Sequence, residues 1–413
     1  MSKKEDGYTK YSPRDLSPWR MWLMVVLLCL CVGCGKKPAT DDEVTITFVG
    51  DITMHERQIK KYYTGNDDEF DVAKGLCYVR DYLVESDYAV GNLETTMAGR
   101  GQGPNKEVLG YSGYPYFNSP DSLAAALSDA GIDLVQTANN HCMDSGLNGL
   151  KRTLDVLDGA GIDHVGTYRS LEESNELYTV DIDGITFGYI AYTVEVNGNS
   201  YAKDEPYAIN SLHSYDEEYV NELYANVETL DSSGVDCVVV MLHWGGEYEE
   251  SSDEWQMELA DGLFANGADI IIGSHPHDIQ PVEIREYTDK NGKKKKGIVL
   301  YSLGDFLSDA VYDDDGVNKD LGLMARVVYS KETHSITDIF LIPTHIYETD
   351  NNVGVVPVLE ANNNRDKYDF LSQKDWDRIE YAGSHVPEIL DSMSNDNNME
   401  YEISENEIHI IIK

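Results

Sequence analysis

Basic residues are scarce in this chain of 413 residues: 32 Lys and Arg stand against 74 Asp and Glu, a formal net charge of −42. A surface so short of positive charge repels phosphate backbones, which excludes nucleic acid as a partner. It attracts cations and suits a secreted domain, while saying nothing about fold. Cysteine is scarce too. Beyond Cys34 only Cys77, Cys142 and Cys237 remain. An odd, dispersed set is no disulfide framework, and Cys237, inside the apolar run 235–242, reads as a small buried hydrophobe. The N-terminal apolar run, Met21–Val32, is short as well. At about 1.5 Å per residue it falls well below a hydrocarbon core of ~30 Å. No internal repeat of solenoid length is present.

That run has the length and setting of a signal-peptide core. Lys3, Lys4, Lys10, Arg14 and Arg20 precede it, and Gly35, Lys36, Lys37 and Pro38 break it. Val32 and Gly33 before Cys34 resemble the bacterial lipoprotein cleavage site, although Cys31 stands where that pattern usually has Leu. The resemblance implies a lipoprotein signal over residues 1–34 and lipid on Cys34. An uncleaved anchor is the other reading. Both place the folded part outside the cytoplasm, tethered to the cell membrane. Residues 35–43 are polar and lack periodicity, so they read as a linker.

From residue 44 onwards strands and helices alternate. Residues 44–49 alternate in polarity and stop at Gly50-Asp51, a first strand and its turn. A second short strand, 88–91, ends in Asn92-Leu93-Glu94, and a third, 132–137, ends in Asn139-Asn140-His141. Ser119-Pro120-Asp121 opens an Ala-rich helix over 121–130. Leu147, Leu150, Leu154 and Leu157 recur at helical spacing before Gly161. Another strand is expected over 185–196, and helices over 216–230 and 253–266. Between and after these helices, two runs of branched apolar residues read as buried strands. One, 238–242, leads into His243; the other, 270–273, leads into Ser274-His275-Pro276-His277.

Residues 298–303 read as a strand ending at Gly304-Asp305, and 323–329 and 336–342 alternate like antiparallel edge strands. Lys293–Lys296, after Asn291-Gly292, reads as a solvated hairpin tip. After about residue 350 the composition turns to Asn, Asp and Glu. Residues 351–413 read as an acidic appendage, with a weak helix over 374–381 and an apolar end at 408–412. The alternation predicts a layered α/β domain of mixed sheet character over 44–350.

Ligands of such sheets gather beyond the carboxyl ends of the strands. Asp51, His55, Glu94, Asn140, His141, His243, His275 and His277 all fall there. Imidazole is the commonest metal ligand among side chains. Carboxylate, carboxamide and imidazole without thiolate suit Mn, Fe or Zn, whereas Mg and Ca prefer oxygen shells. The candidates are too many for one tetrahedral ion. They fit two divalent ions that share a carboxylate, from Glu94 or Asp51, and that stabilise an in-line displacement. His141 is then placed as a general acid, oriented by Asp144. His55 shares a face with Asp51 if a helix begins just after that aspartate.

Apart from His55, these residues lie in six blocks: Val49-Gly50-Asp51; Gly91-Asn92-Leu93-Glu94-Thr95; Ala138-Asn139-Asn140-His141 with Asp144 and Gly146; Leu242-His243-Trp244-Gly245 with Glu247-Tyr248; Gly273-Ser274-His275-Pro276-His277 with Gln280; and Tyr301-Ser302-Leu303-Gly304-Asp305-Phe306. In this order they resemble the CapA family of poly-γ-glutamate capsule biosynthesis proteins, whose domain is similar to calcineurin-like metallophosphoesterases. The resemblance implies a four-layer α-β-β-α sandwich with two mixed β-sheets. It implies that Asp51 is the first aspartate of the phosphoesterase signature, Asn140 and His141 its Asn-His pair, His243 its isolated histidine, and His275 with His277 its final His-x-His.

Two departures matter. Thr53 stands where the phosphoesterases carry His, so His55 is expected to substitute, and the Asn-Leu-Glu block takes the place of the second aspartate. Asp305 stands where the capsule family usually has Asn. As function, the resemblance implies an envelope-anchored protein acting in capsule polymer synthesis, export or anchoring. It would carry a dinuclear metallohydrolase-type site, an anionic polymer or phosphoester as substrate, and membrane capsule-synthesis proteins as partners. An extracytoplasmic phosphatase or phosphodiesterase unrelated to capsule, and a non-catalytic scaffold, are the alternatives.

Overall fold

The computed structural model describes residues 42–104, 108–198, 204–288, 292, 294–309, 317–392 and 399–412. Cys34, the expected signal segment and the linker up to residue 41 lie outside the described residues, as do Asn291 and Lys293 of the expected hairpin tip, whose Lys294–Lys296 belong to a paired strand. Among the described residues no helix is long and apolar enough to cross a membrane.

Period-two patterning builds two mixed sheets. In chain order the strands are β1 (Glu43–Ile52), β2 (Tyr88–Leu93), β3 (Leu134–Gln136), β4 (Asp163–Val165), β5 (Tyr178–Ile182), β6 (Ile185–Thr193), β7 (Cys237–His243) and β8 (Ile270–Ser274). They continue with β9 (Val282–Thr288), β10 (Lys294–Leu300), β11 (Asp305–Leu307), β12 (Leu321–Ser330), β13 (Ser335–Glu348), β14 (Val353–Pro357), β15 (Glu400–Ile403) and β16 (Ile408–Ile411). The larger sheet runs β15-β16-β13-β12-β1-β2-β3-β4, with β11 against β1 and β14 against β13. Its β1 to β4 pair in parallel, and β12, β13 and β16 antiparallel. The smaller sheet runs β5-β6-β7-β8-β10-β9, parallel in its middle and antiparallel at both edges.

Alternate side chains of the inner strands enter different cores. On β7, Val239 and Met241 point between the sheets, while Val238, Val240 and Leu242 point outwards to helices α4 (Glu217–Ser232) and α5 (Glu254–Ala265). On β2, Val90 faces the inter-sheet core and Ala89 faces α2 (Ser122–Ala130) and α3 (Gly146–Ala160), preceded in the chain by α1 (Glu56–Tyr62). Three apolar cores thus separate four layers, helices outside and two sheets within. Strands buried on both faces read as continuous apolar runs, which is why β7 and β8 stand out in the sequence.

Two stretches differ from the expectation. Residues 323–329 and 336–342 are not at an edge: β12 lies between β1 and β13, and β13 is flanked further by β14 and β16. Their alternation reads as one solvated face, and the polar positions Arg326, Thr337 and Asp338 are indeed only half-buried, but each strand is paired on both sides. The acidic stretch after residue 350 is built into the fold. It supplies β14, β15, β16 and helix α6 (Gln373–Ser392), whose Ile379, Ala382, Val386 and Leu390 enter the inter-sheet core. Its acids, such as Glu380 and Glu388, dominate the composition because they line the outer face.

Candidate metal centre

The carboxyl ends of five strands meet at one rim, as an α/β sheet requires of a ligand site. Asp51 lies on β1, Glu94 follows β2, Asn140 and His141 follow β3, His243 ends β7, and His275 and His277 follow β8. Strand register fixes their mutual height. Asp51 stands beside Asn92 on one side and Asp305 on the other, and His243 stands beside Ser274. Two glycines let the ends approach. A Cβ on Gly50 would lie 1.9 Å from the Gly304 carbonyl oxygen, and one on Gly273 would lie 1.8 Å from that of Tyr301. Past Gly273 the chain turns sharply, with His275 and His277 at φ values of 99° and 58°. Left-handed backbone at two non-glycine residues is strain of the kind that clusters at functional sites.

Glu94 is the centre of the arrangement. It is completely buried, and neither carboxylate oxygen has a hydrogen-bond partner. Two sets of ligand-type atoms surround it, Asp51, Glu94 and His277 in one and Glu94, His243 and His275 in the other. Within each set the atoms lie within 4.8 Å of one another. His243 Nε2 is 3.6 Å and His277 Nε2 3.9 Å from Glu94 Oε1. The Asn140 amide oxygen is 3.1 Å from His243 Nε2. His275 Nδ1 is buried without a partner. Orphaned buried polar atoms are rare and costly, at roughly 1–3 kcal/mol each. A carboxylate with two such oxygens among imidazoles fits a cation on each side of it.

The surrounding contacts hold these ligands in place. Asn92 donates its side-chain amide to Asp51 Oδ1 at 2.7 Å, and the His275 backbone N–H reaches Asp51 Oδ2 at 3.2 Å. Ser274 Oγ lies 2.9 Å from His243 Nδ1, which leaves Nε2 to face Glu94. Partners of this sort orient ligating histidines and select their tautomer. Electrostatics agree. Burial, reinforced by Asp51, pushes the Glu94 carboxyl well above the usual carboxylate range. Burial, with His275 and His277 adding to it, holds His243 well below the usual imidazole value, and burial lowers His275 to about 4. Neutral imidazole is the form that binds a metal. His277 goes the other way: burial alone would lower it, but Asp305, 2.9 Å away, and Glu94 raise it well above 6.5. A cation bound there would replace these protons, because ligands bind deprotonated.

Of the residues expected from the sequence, Asp51, Glu94, His243, His275 and His277 therefore come together, with Asn140 against His243. His141 stands at their border. Its Nε2 is 4.0 Å from Glu94, and its Nδ1 is 2.7 Å from Asp144, whose carboxylate also accepts the Phe117 N–H. His55 does not join either set. Asp51 belongs to a strand and α1 begins only at Glu56, so the two residues do not share a helix face. The His55 ring turns instead to Asp309, at 3.2 Å, and lies edge-on to Phe117. Phe117 in turn lies edge-on to His141, and the Asn197 amide is 3.2 Å from His141 Nε2. Neither Phe117 nor Asn197 carries a signal in the sequence, since both arrive on loops.

Residues 45–310 match the family model described as bacterial capsule synthesis protein PGA_cap. The chain belongs to this family. It is similar to the PGA biosynthesis protein CapA of Bacillus subtilis (strain 168), 30% identical over 300 residues that cover 70% of each chain. It is also similar to the capsule biosynthesis protein CapA of Bacillus anthracis, 28% identical over 280 residues, 66% of this chain and 62% of that protein. A crystal structure described as a novel phosphatase from Mycoplasma pneumoniae aligns over 73% of this chain and 93% of its own, at 10% identity and a TM-score of 0.40. Every residue of the two ligand sets in this PGA_cap protein lies within the family segment, whereas β12 to β16 and α6 lie beyond it.

Proposed function

We propose that this capsule synthesis family member is an envelope-anchored hydrolase with a two-cation centre that acts on an anionic polymer or a phosphoester. Asp51, Glu94 and His277 hold one divalent cation, and Glu94, His243 and His275, with Asn140, hold the other. The nitrogen and oxygen donor set favours Mn, Fe or Zn. Cations bound there supply Lewis acidity and lower the pKa of water. The chain's own residues do the rest. Asn92 and the His275 N–H fix Asp51, Ser274 fixes His243, and Asp144 is the positioning residue of His141. His141 gives a proton to the leaving group from the border of the centre, with Phe117 packed on its edge. Anchoring is through lipid on Cys34.

The observation that carries this reading is the buried carboxylate of Glu94, both of its oxygens without partners and an imidazole-bearing set on either side. The test is to strip and reload the protein with Mn, Fe or Zn, count ions by elemental analysis, and assay phosphoester and γ-glutamyl substrates. Two ions per chain and metal-dependent hydrolysis that falls about 100-fold or more in His141→Gln are expected, from the usual contribution of general acid catalysis. A protein that binds no metal, or whose turnover ignores His141, overturns the reading. Anchoring is tested separately: Cys34→Ala should leave an unlipidated, uncleaved precursor by mass spectrometry, and an unmodified Cys34 in the wild type would refute it.

A further inference from the structure

We propose that the end of the domain opposite the metal centre docks onto anionic lipid headgroups through Lys294 and Lys296. This rests on the anchoring part of the reading above, and it fixes which way a tethered domain faces. β1 runs towards the metal rim, so its first residue, Glu43, marks the far end. At about 3.3 Å per residue, the stretch from Glu43 to Asp51 puts that end roughly 26 Å from the centre. The chain enters the domain here: Asp42 is the first described residue, and its carbonyl accepts the Lys331 N–H at 2.9 Å. Cys34 lies eight residues earlier, which limits its reach from this end to about 30 Å.

Register brings Lys294 and Lys296 to the same end. β10 lies parallel to β8, with Leu300 beside Ile272 towards the metal rim and Lys294 at the start of the strand. Side chains alternate along a strand. Ile298 and Leu300 enter the inter-sheet core and Val299 the outer one, so Lys294 and Lys296 fall on the inner face and Lys295 on the outer. Lys295 pairs with Asp269 at 3.0 Å. Among the described residues no carboxylate pairs with Lys294 or Lys296. The two form one wall of a groove of about 490 Å³, with Tyr329, Ile336 and Ile412 as its floor and the turn between β12 and β13 as its other wall. Thr333 and Ser335 are exposed there.

The local charge is the inverse of the chain's. Lys294, Lys295 and Lys296 line the groove against Asp269, already paired, and Glu286, which stands across from Lys296 in register but forms no ion pair among the described residues. The acids Asp183 and Asp236 are paired to Lys331 and His334 of the turn. Acids outnumber bases 74 to 32 overall, so an anionic surface repels most of the domain. That repulsion dies away within a Debye length, about 8 Å at physiological salt, and inside that range the groups at contact decide. A tethered domain therefore turns this end to the headgroups. Each lysine near an anionic surface is worth about fivefold in binding. The tether makes so modest a gain sufficient, because docking becomes an intramolecular step. Headgroup phosphates between the two ammoniums and the hydroxyls of Thr333 and Ser335 supply the missing counter-charge. The metal centre then opens away from the bilayer.

The test incubates the full chain with vesicles of phosphatidylcholine alone, or mixed equally with phosphatidylglycerol, and reads amine acetylation by mass spectrometry. Lys294 and Lys296 should label at least about fivefold more slowly on the mixed vesicles and recover at about 1 M salt, where the Debye length falls to about 3 Å. Lys60, on α1 past the metal end of β1, should label equally on both. Lys294→Gln combined with Lys296→Gln should abolish the lipid-dependent slowing of amide exchange at residues 333–337. Lys294→Gln alone, at an exposed position, serves if the double variant is misfolded by circular dichroism. Equal labelling on the two vesicle types overturns the proposal, as does slowing that the substitutions leave unchanged, or protection by soluble polyglutamate in place of anionic lipid. Flotation with phosphatidylcholine vesicles reads the anchor by itself. A chain that floats with both kinds and labels alike refutes docking and leaves the anchor. One that floats only with the mixed vesicles, with Lys294 and Lys296 protected, supports docking and refutes the anchor.

Discussion

Replacing Glu94 by Gln should remove metal binding while sparing the metal-free fold. Burial and Asp51 push the Glu94 carboxyl well above its ordinary range, so without metal it holds a proton, and Gln is close to isosteric with that neutral form. Metal-free wild type and variant should therefore melt within about 2 °C of each other, a difference below the usual effect of a conservative buried change. With metal they should part. An ion present at a thousandfold over its Kd stabilises by about 4 kcal/mol, and two such ions by roughly twice that. A domain of roughly 370 residues has an unfolding entropy near 0.8 kcal/mol per kelvin, so the wild type should gain about 10 °C. Glu94 belongs to both ligand sets, so the variant should lose most of that gain. Scanning calorimetry with and without chelator, paired with elemental analysis, decides the matter. A variant that keeps two ions, or one that loses the same stability with and without metal, refutes the shared-carboxylate reasoning.

His55→Ala should leave metal stoichiometry unchanged, because its ring faces Asp309, whereas His277→Ala should lower it; equilibrium dialysis reads both. Gly273→Ala should destabilise the fold by about 3 kcal/mol or more, measured as a fall in the urea midpoint, because its Cβ meets the Tyr301 carbonyl and the Trp244 ring nitrogen. The pH dependence has a second source, away from the metal centre. His345 is buried between Asp320 and Asp375, which raise it above its ordinary value against the effect of burial, while both aspartates are lowered. The histidine's contribution is complete below about pH 6.5 and is lost as pH rises through its raised value; that of the aspartates is complete above about pH 4 and is lost as pH falls through their lowered values. Wild-type stability should therefore decline from pH 6 to 9 more steeply than that of His345→Gln, as read from urea midpoints.

The candidate ligands most legible in the sequence are those at the ends of doubly buried strands. His243, His275 and His277 come directly after β7 and β8, where continuous branched apolar runs announce both the strand and its end. His55 misleads because four residues of spacing imply contact only inside a helix, and Asp51 is still on β1. The shared role proposed for Glu94 is legible only as one of two options, since the choice between it and Asp51 depends on which carboxylate is left without donors. Asp51 takes hydrogen bonds from Asn92 and His275, and Glu94 takes none. The stretch after residue 350 is the least legible part. Acids on the outer face of α6 mask an apolar stripe that Pro387 interrupts, and β16 is short enough to pass for a tail.

The first strand of the domain has a consequence for how the chain is made. β1 lies in the interior of the ten-stranded sheet, and its hydrogen-bonded neighbour across from Glu43 is Ser330. β12 pairs in turn with β13, and β13 with β16. A ribosome that has released β1 cannot offer it the partner on that side until β12, at Leu321–Ser330, has emerged. Such long-range pairing is slow to form. The same wiring means that removing β16 would uncover one edge of β13, in a sheet whose first strand was made far earlier in the chain.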